Sequence, residues 1–281
     1  MAYPTVSAPY GLKPINLIGG QVFAGSTREL PIQYGYATNI FYGDFVVLSR
    51  GFATRAAVST GTGSNQVTGV FLGCSYTNPS TKQKTFSQYW PASTLAGDAV
   101  AIVCDDPDTV FKAVVCSSGT TVASGGLALI GTNLSMIDNS TGNVNTGDST
   151  NAVLAPTATP VTSILPVRCV GVVPDTSYSF TATGSSSTTT ITLTGAGAPQ
   201  AIPVGTSVAY LASNGQVIQT SSFVSSAAVA GATSVTLNAA IAVPGSVTAI
   251  PSSSTVVFTV YPEILVKMNL LVHGYYSSTT A

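Results

Sequence analysis

Apolar and polar residues alternate with a period of two along much of this chain, in short runs separated by turn-forming residues. Val100, Ile102 and Cys104 interleave with Ala99, Ala101 and Val103, so both faces of that run are apolar. The run TVFKAVVC at 109–116 repeats the pattern with Lys112 as its one charged position. Such runs predict strands, because successive side chains of a strand point to opposite faces. Between the two, CDDPD at 104–108 has the Asp and Pro content of a tight connection, which predicts a hairpin over 98–116. A second hairpin is predicted over 44–58, DFVVLSRGFATRAAV, turning at Ser49-Arg50-Gly51. Residues 66–77 and 84–92 add two β-rich segments, and EILVKMNLLV near the end reads as a strand with one core face. Nowhere do twelve residues keep a 3.6-residue period with caps, so the chain is predicted to be all-β.

A different texture occupies the stretch from Thr176 to Pro262, which contains no Asp, Glu, Lys, Arg, His or Cys. Ile191 and Leu193 alternate there with Thr190, Thr192 and Thr194, giving a half-buried strand with a threonine-covered outer face. Threonine is β-branched and suits a strand, and its hydroxyl keeps that face wet without a charge. SVTLN at 234–238 weakly repeats the TITLT pattern, and STVVFTV at 254–260 closes the segment. Asn214-Gly215 sits between two apolar runs, a strong hairpin signal. Short strands at regular spacing with Gly and Pro turns predict a β-sandwich, Ig-like, or a small barrel. RCVGVVPD at 168–175 and YPEILVKMN at 261–269 return to the charged, mixed composition of the first part. The predicted organisation is therefore a base domain, a β-sandwich or small barrel, formed by 1–175 plus 262–281. A second, uncharged β-sandwich is expected to be inserted at 176–261, the alternative being two tandem domains with a C-terminal tail. Insertion at a loop is tolerated when the ends of the guest lie close together.

Composition narrows the class. Charged residues are only 7% of the 281, against about 25% in typical soluble domains. No run approaches the roughly 18 consecutive apolar residues of a spanning helix, so no membrane association is expected. With 45% hydrophobic residues the chain can bury a core, which argues against disorder. A polar surface built from Ser, Thr, Asn and Gln, with a net charge of −1, suits a protein held in an assembly. The nine Lys and Arg are scattered singly, with no cluster to neutralise phosphates, so nucleic acid is not an expected partner. The start, MAYPTVSAPYGL, shows no cationic region followed by an apolar one, so no secretory signal is expected.

A search for chemistry finds little. Cys74, Cys104, Cys116 and Cys169 lie in apolar stretches with no CxxC, and are expected to be buried reduced thiols, with disulfides or a metal as the alternatives. His273 is the only histidine and has no nucleophile paired with it by motif. GTGSNQVTG at 61–69 lacks the third glycine of a dinucleotide fingerprint and the GK[ST] of a P-loop. Asp105, Asp106 and Asp108 do not follow a calcium-loop spacing, and Pro107 explains them as a turn. The Asn133 and Asn139 sequons carry meaning only on a secretory route. No catalytic residue, cofactor or metal is expected, and the chain is not expected to be an enzyme.

What remains is a surface for contact. Residues 1–43 are rich in Tyr, Gly and Pro, and Pro4, Pro9, Pro14 and Pro31 forbid long helices. The piece up to Gly20 is expected to be an extended arm lying on a neighbour, with an ordinary first strand pair as the alternative, and Tyr3, Tyr10, Leu12, Pro14 and Ile15 are the contact candidates. APYGLKPINLIGGQVFAGSTRELPI, then GVFLGCSYTNPSTKQKTFSQYWPAST with DAVAIVCDDPDTVF, and the ending ILVKMNLLVHGY together resemble small structural proteins of tailed marine bacteriophages. The similarity covers roughly 8–116, 167–175 and 263–276, and leaves the chargeless module outside it. The resemblance implies a capsid decoration or cement protein on the outer surface of the virion, assembled in the host cytoplasm. Its partners would be the major capsid protein and further copies of itself, a trimer being the expected oligomer. The module would project outward, where host surface glycans are within reach. The rival expectation is a tail tube subunit, or a tail fibre or adhesin component that binds such glycans.

Overall fold

The structure is a computed structural model of the chain and describes residues 6–57, 66–156, 164–186, 188–212, 214–241 and 249–275. The first third supplies β1 (Lys13–Leu17), β2 (Arg28–Pro31), β3 (Phe45–Ser49), β4 (Phe52–Arg55), β5 (Gly69–Thr77), β6 (Lys84–Ser87) and β7 (Val100–Cys104). The middle supplies β8 (Thr109–Ser118), β9 (Thr121–Val122), β10 (Asn133–Leu134), β11 (Met136–Ile137), β12 (Ala152–Leu154) and β13 (Val167–Val172). Then come β14 (Tyr178–Ser186), β15 (Thr190–Leu193), β16 (Ser207–Leu211), β17 (Val217–Phe223), β18 (Ser234–Thr236), β19 (Ser254–Val260) and β20 (Glu263–Met268). The fold is all-β, as the alternation predicts.

Three sheets share these strands. The first runs β2-β7-β5-β3-β4, with β6 paired to β5. The β3–β4 hairpin turns at Arg50-Gly51, both with positive φ, the two-residue turn whose twist matches the flanking strands. Trp90 fills one face of this sheet, its ring edge-on to Tyr76 at 5.4 Å and its Nε1 donating to the Tyr36 carbonyl at 3.3 Å. The second sheet runs β10-β13-β20-β8-β12-β11, with β1 and β9 paired to β8. A core of Leu12, Phe45, Val70, Phe111, Met136, Ile264 and their neighbours joins residues of the first and second sheets. The third sheet, β17-β16-β19-β14-β15-β18, contains only residues of the chargeless stretch. Its end strands meet where Val224 bridges Leu237 and the Asn238 amide donates to the Phe223 carbonyl, so the sheet is rolled nearly closed.

One predicted pairing is wrong. β7 and β8 do not form a hairpin; β7 pairs with β2 and β5, whereas β8 pairs with β20 and β1. The turn is present: Asp106 Oδ1 accepts from the Asp108 amide at 2.9 Å, and the Thr109 amide donates to the Asp106 carbonyl at 3.1 Å. It carries the chain from one sheet to the other. A strand apolar on both faces reports burial but not its partner, and β8 finds its partner 150 residues later.

The chargeless stretch leaves the second sheet after β13 and returns at β20, and these two strands pair antiparallel with each other. Its rolled sheet has a core of its own around Ile191, Val208, Tyr210, Val235, Val256 and Phe258. Val204 and Phe223, however, pack into the core of the base. The segment Ser124-Gly125-Gly126 makes the junction. The Ser124 amide donates to the Val204 carbonyl at 2.9 Å, the Gly125 amide to Tyr261 at 2.7 Å, and Ser124 Oγ accepts from the Tyr261 amide at 2.9 Å. The Leu127 amide adds a bond to Ser207 Oγ at 2.9 Å.

Candidate functional site

The N-terminal contact candidates are built in from one side. Tyr3 lies outside the described residues. Tyr10 is half-buried, and its hydroxyl donates to Glu263 Oε1, which also takes Lys112 Nζ at 3.3 Å. Burial, and then the Glu263 carboxylate, push the Tyr10 phenol well above the ordinary tyrosine range, so it stays a donor. Lys13 Nζ lies 4.7 Å from the centre of the same ring. Leu12 is 0% exposed and belongs to the core of the base, where it has no surface to offer a partner. Lys13 to Leu17 is not an arm reaching away: it is β1, paired antiparallel with β8, because the edge of β8 offers hydrogen bonds that an extended proline-containing segment can accept. Pro14 is half-buried in that strand, and Ile15 is 38% exposed. Beyond it the chain turns tightly, the Leu17 amide donating to the Gln21 carbonyl at 2.8 Å, and presents Ile18 (50% exposed) and Val22 (79% exposed). Among the described residues up to Val22, the exposed large apolar side chains are thus Ile15, Ile18 and Val22.

The acidic turn and the lone histidine are brought together. Asp105 Oδ2 pairs with Arg28 Nε at 2.9 Å and accepts from the Tyr275 hydroxyl at 3.0 Å, with the Arg28 guanidinium over the Tyr275 ring. His273 is 0% exposed; its Nδ1 accepts from the Tyr275 amide at 3.3 Å, which leaves the proton on Nε2, 3.1 Å from the Asp105 carbonyl. Asp108 pairs instead with Lys267 at 3.4 Å. Each group therefore holds the C-terminal segment to the β7–β8 turn. Burial lowers the His273 pKa below its usual value, so the unfolded chain takes up a proton first. Stability should accordingly fall as pH drops below about 6.5, the ordinary histidine value. Urea titrations at pH 7.5 and 5.5 check this, and the His273→Gln variant should lose the difference between them.

Sequence reasoning missed the most buried charge cluster. Asp44 immediately precedes β3, and its Oδ1 accepts from Ser149 Oγ at 2.6 Å and Asn151 Nδ2 at 2.8 Å, while Oδ2 accepts from the Phe41 amide at 2.9 Å. Arg55, at the end of β4, pairs with Asp44 at 3.2 Å and reaches across to Asp138 with its guanidinium nitrogens. The only local signal was an acid and a base at opposite ends of a hairpin; Asp138, Ser149 and Asn151 come from a remote loop. The four cysteines are free and buried, and burial pushes Cys116 and Cys169 up to about 11 and Cys74 up to about 12, which makes them inert fillers. Among the described residues, no three His, Cys, Asp or Glu are grouped to hold a metal, and no helix is long and apolar enough to cross a membrane.

No protein-family model matches this chain, and no curated protein matches it.

Proposed function

We propose that this protein is a virion structural component that decorates a phage capsid and cements it, binding across neighbouring copies of the major capsid protein. The observation that carries this reading is the disposition of charge. Ion pairs take up Asp44, Asp98, Asp105, Asp108, Asp138, Asp148 and Glu263 within the base, and the rolled module has no charge to pair. Copies with so little unpaired charge can stand side by side on a shell without long-range repulsion. The similarity of 8–116, 167–175 and 263–276 to phage structural proteins supports the same reading.

In it, the protein assembles on the particle in the host cytoplasm. The base docks through Ile15, Ile18 and Val22, the chain oligomerises around a symmetry axis as a trimer, and the module points outward. Each specific contact would bury about 1,200–2,000 Å², and repetition over the shell multiplies modest affinities. Adding purified protein to undecorated shells should raise the temperature at which they release DNA. Ile18→Asp should weaken that protection while leaving the protein's own melting temperature unchanged. A handful of copies per particle, located at the tail, would replace this reading with a tail tube or fibre role.

A further inference from the structure

A cleft of about 540 Å³ opens between the first sheet and β1, within the size range of small-ligand sites. Its floor is apolar, formed by the half-buried Leu72 and Ile102. Within this lining, β5 carries a register shift between Phe71 and Gly73. Phe86 stands at the lip, 78% exposed, an aromatic ring that the fold itself does not bury. The rim is polar. Gln88 Nε2 donates to Asp148 Oδ1 at 3.3 Å, and Lys13 Nζ lies 3.3 Å from the same oxygen, while Tyr42 lines the wall.

We propose that this cleft binds a neutral saccharide, one sugar ring laying its C–H face on Phe86 while its hydroxyls meet Gln88, Lys13 and Tyr42. Three features select that chemistry. The Lys13 and Asp148 charges cancel, and Cys74 and Tyr42 are held neutral by burial, so nothing attracts a phosphate, a uronate or an ammonium group. A planar amide next to an ammonium–carboxylate pair offers both donors and an acceptor to the hydroxyls of one ring. An exposed phenyl ring beside such a rim matches the two-sided character of a sugar, apolar on one face and polar at its edge. An open cleft also admits an internal stretch of a polymer as readily as its end. The inference places glycan contact on the base, not on the module, and does not depend on where the protein sits in a particle.

The test uses the full-length protein on an array of neutral glucose, galactose, mannose and N-acetylglucosamine oligosaccharides beside sialylated, sulfated and uronate-containing ones. Binding is expected on neutral members alone. Titration of the strongest of them should show about tenfold weaker affinity for Phe86→Ala, with an unchanged melting temperature, since Phe86 is exposed. Gln88→Ala should weaken the same interaction. Binding restricted to acidic glycans, no binding to any glycan at millimolar concentration, or equal binding by Phe86→Ala overturns the proposal. So does a peptide library in which Phe86-dependent capture of an extended peptide appears without any glycan binding.

Discussion

Replacing Arg55 by leucine is expected to lower the unfolding free energy by about 3–5 kcal/mol, the cost of removing one partner from a buried ionic cluster. Arg55 is almost wholly enclosed, and its guanidinium stands between Asp44, which is buried, and Asp138, which is nearly so. Without it, Asp44 keeps its bonds from Phe41, Ser149 and Asn151 but carries a charge that nothing offsets. The leucine side chain fills part of the space but supplies no donors, so the hydrogen bond to Ser140 is lost as well. Urea denaturation followed by tryptophan fluorescence measures the loss, because Trp90 is buried in the core that packs on the first sheet. The double variant Asp44→Asn/Arg55→Leu should be more stable than Arg55→Leu alone, since the amide removes the orphaned charge. A double variant no better than the single one would mean that the cluster contributes packing rather than electrostatics.

Gly205→Ala should uncouple the module from the base. A Cβ built there would sit 1.8 Å from the Ser124 carbonyl oxygen, and φ is +83°, so neither rotation nor a side-chain shift relieves the contact. The left-handed backbone alone costs about 1–2 kcal/mol for a non-glycine residue. The clash adds the loss of the Ser124–Val204 hydrogen bond, about 1 kcal/mol. Gly215→Ala is the control, because Gly215 has a similar φ of +82° in the β16–β17 turn with nothing within 4 Å. Calorimetry should show one unfolding transition in the parent and in Gly215→Ala, and two in Gly205→Ala. Protease cleavage near 173–177 and 261–262 should rise in Gly205→Ala alone. One intact transition in both variants would mean that the junction tolerates a backbone shift and does not fix the module's orientation.

Several elements could be read from the sequence with their turns. The β3–β4 hairpin follows from Arg50-Gly51, and the β16–β17 hairpin from Asn214-Gly215, because turn chemistry acts within the few residues it joins. β15, β18 and β19 follow from their alternation. β14 alternates too, with Tyr178, Phe180 and Ala182 half-buried and Ser179, Thr181 and Thr183 exposed, but Ala182 and Gly184 weaken its apolar face. The contact candidates divide for a similar reason. Leu12 and Ile15 are both aliphatic and three residues apart in an extended chain, yet one is in the core and the other half open to solvent. A period-two argument cannot say which face of a strand meets the protein until its neighbour is known.

Local physics therefore determined that this chain is built of strands, where it turns, and that residues 176–262 hold no charge. Alternation, turn chemistry and composition act over a few residues and need no partner. Only the tertiary structure decided that β8 lies beside β20 rather than β7, and that Asp44, Arg55 and Asp138 meet. It also decided that Ser124 grips the module and that Phe86 overhangs a cleft. Those outcomes depend on which distant surfaces close over one another, and hydrogen-bonding edges and apolar faces are alike enough that only the folded whole selects among them.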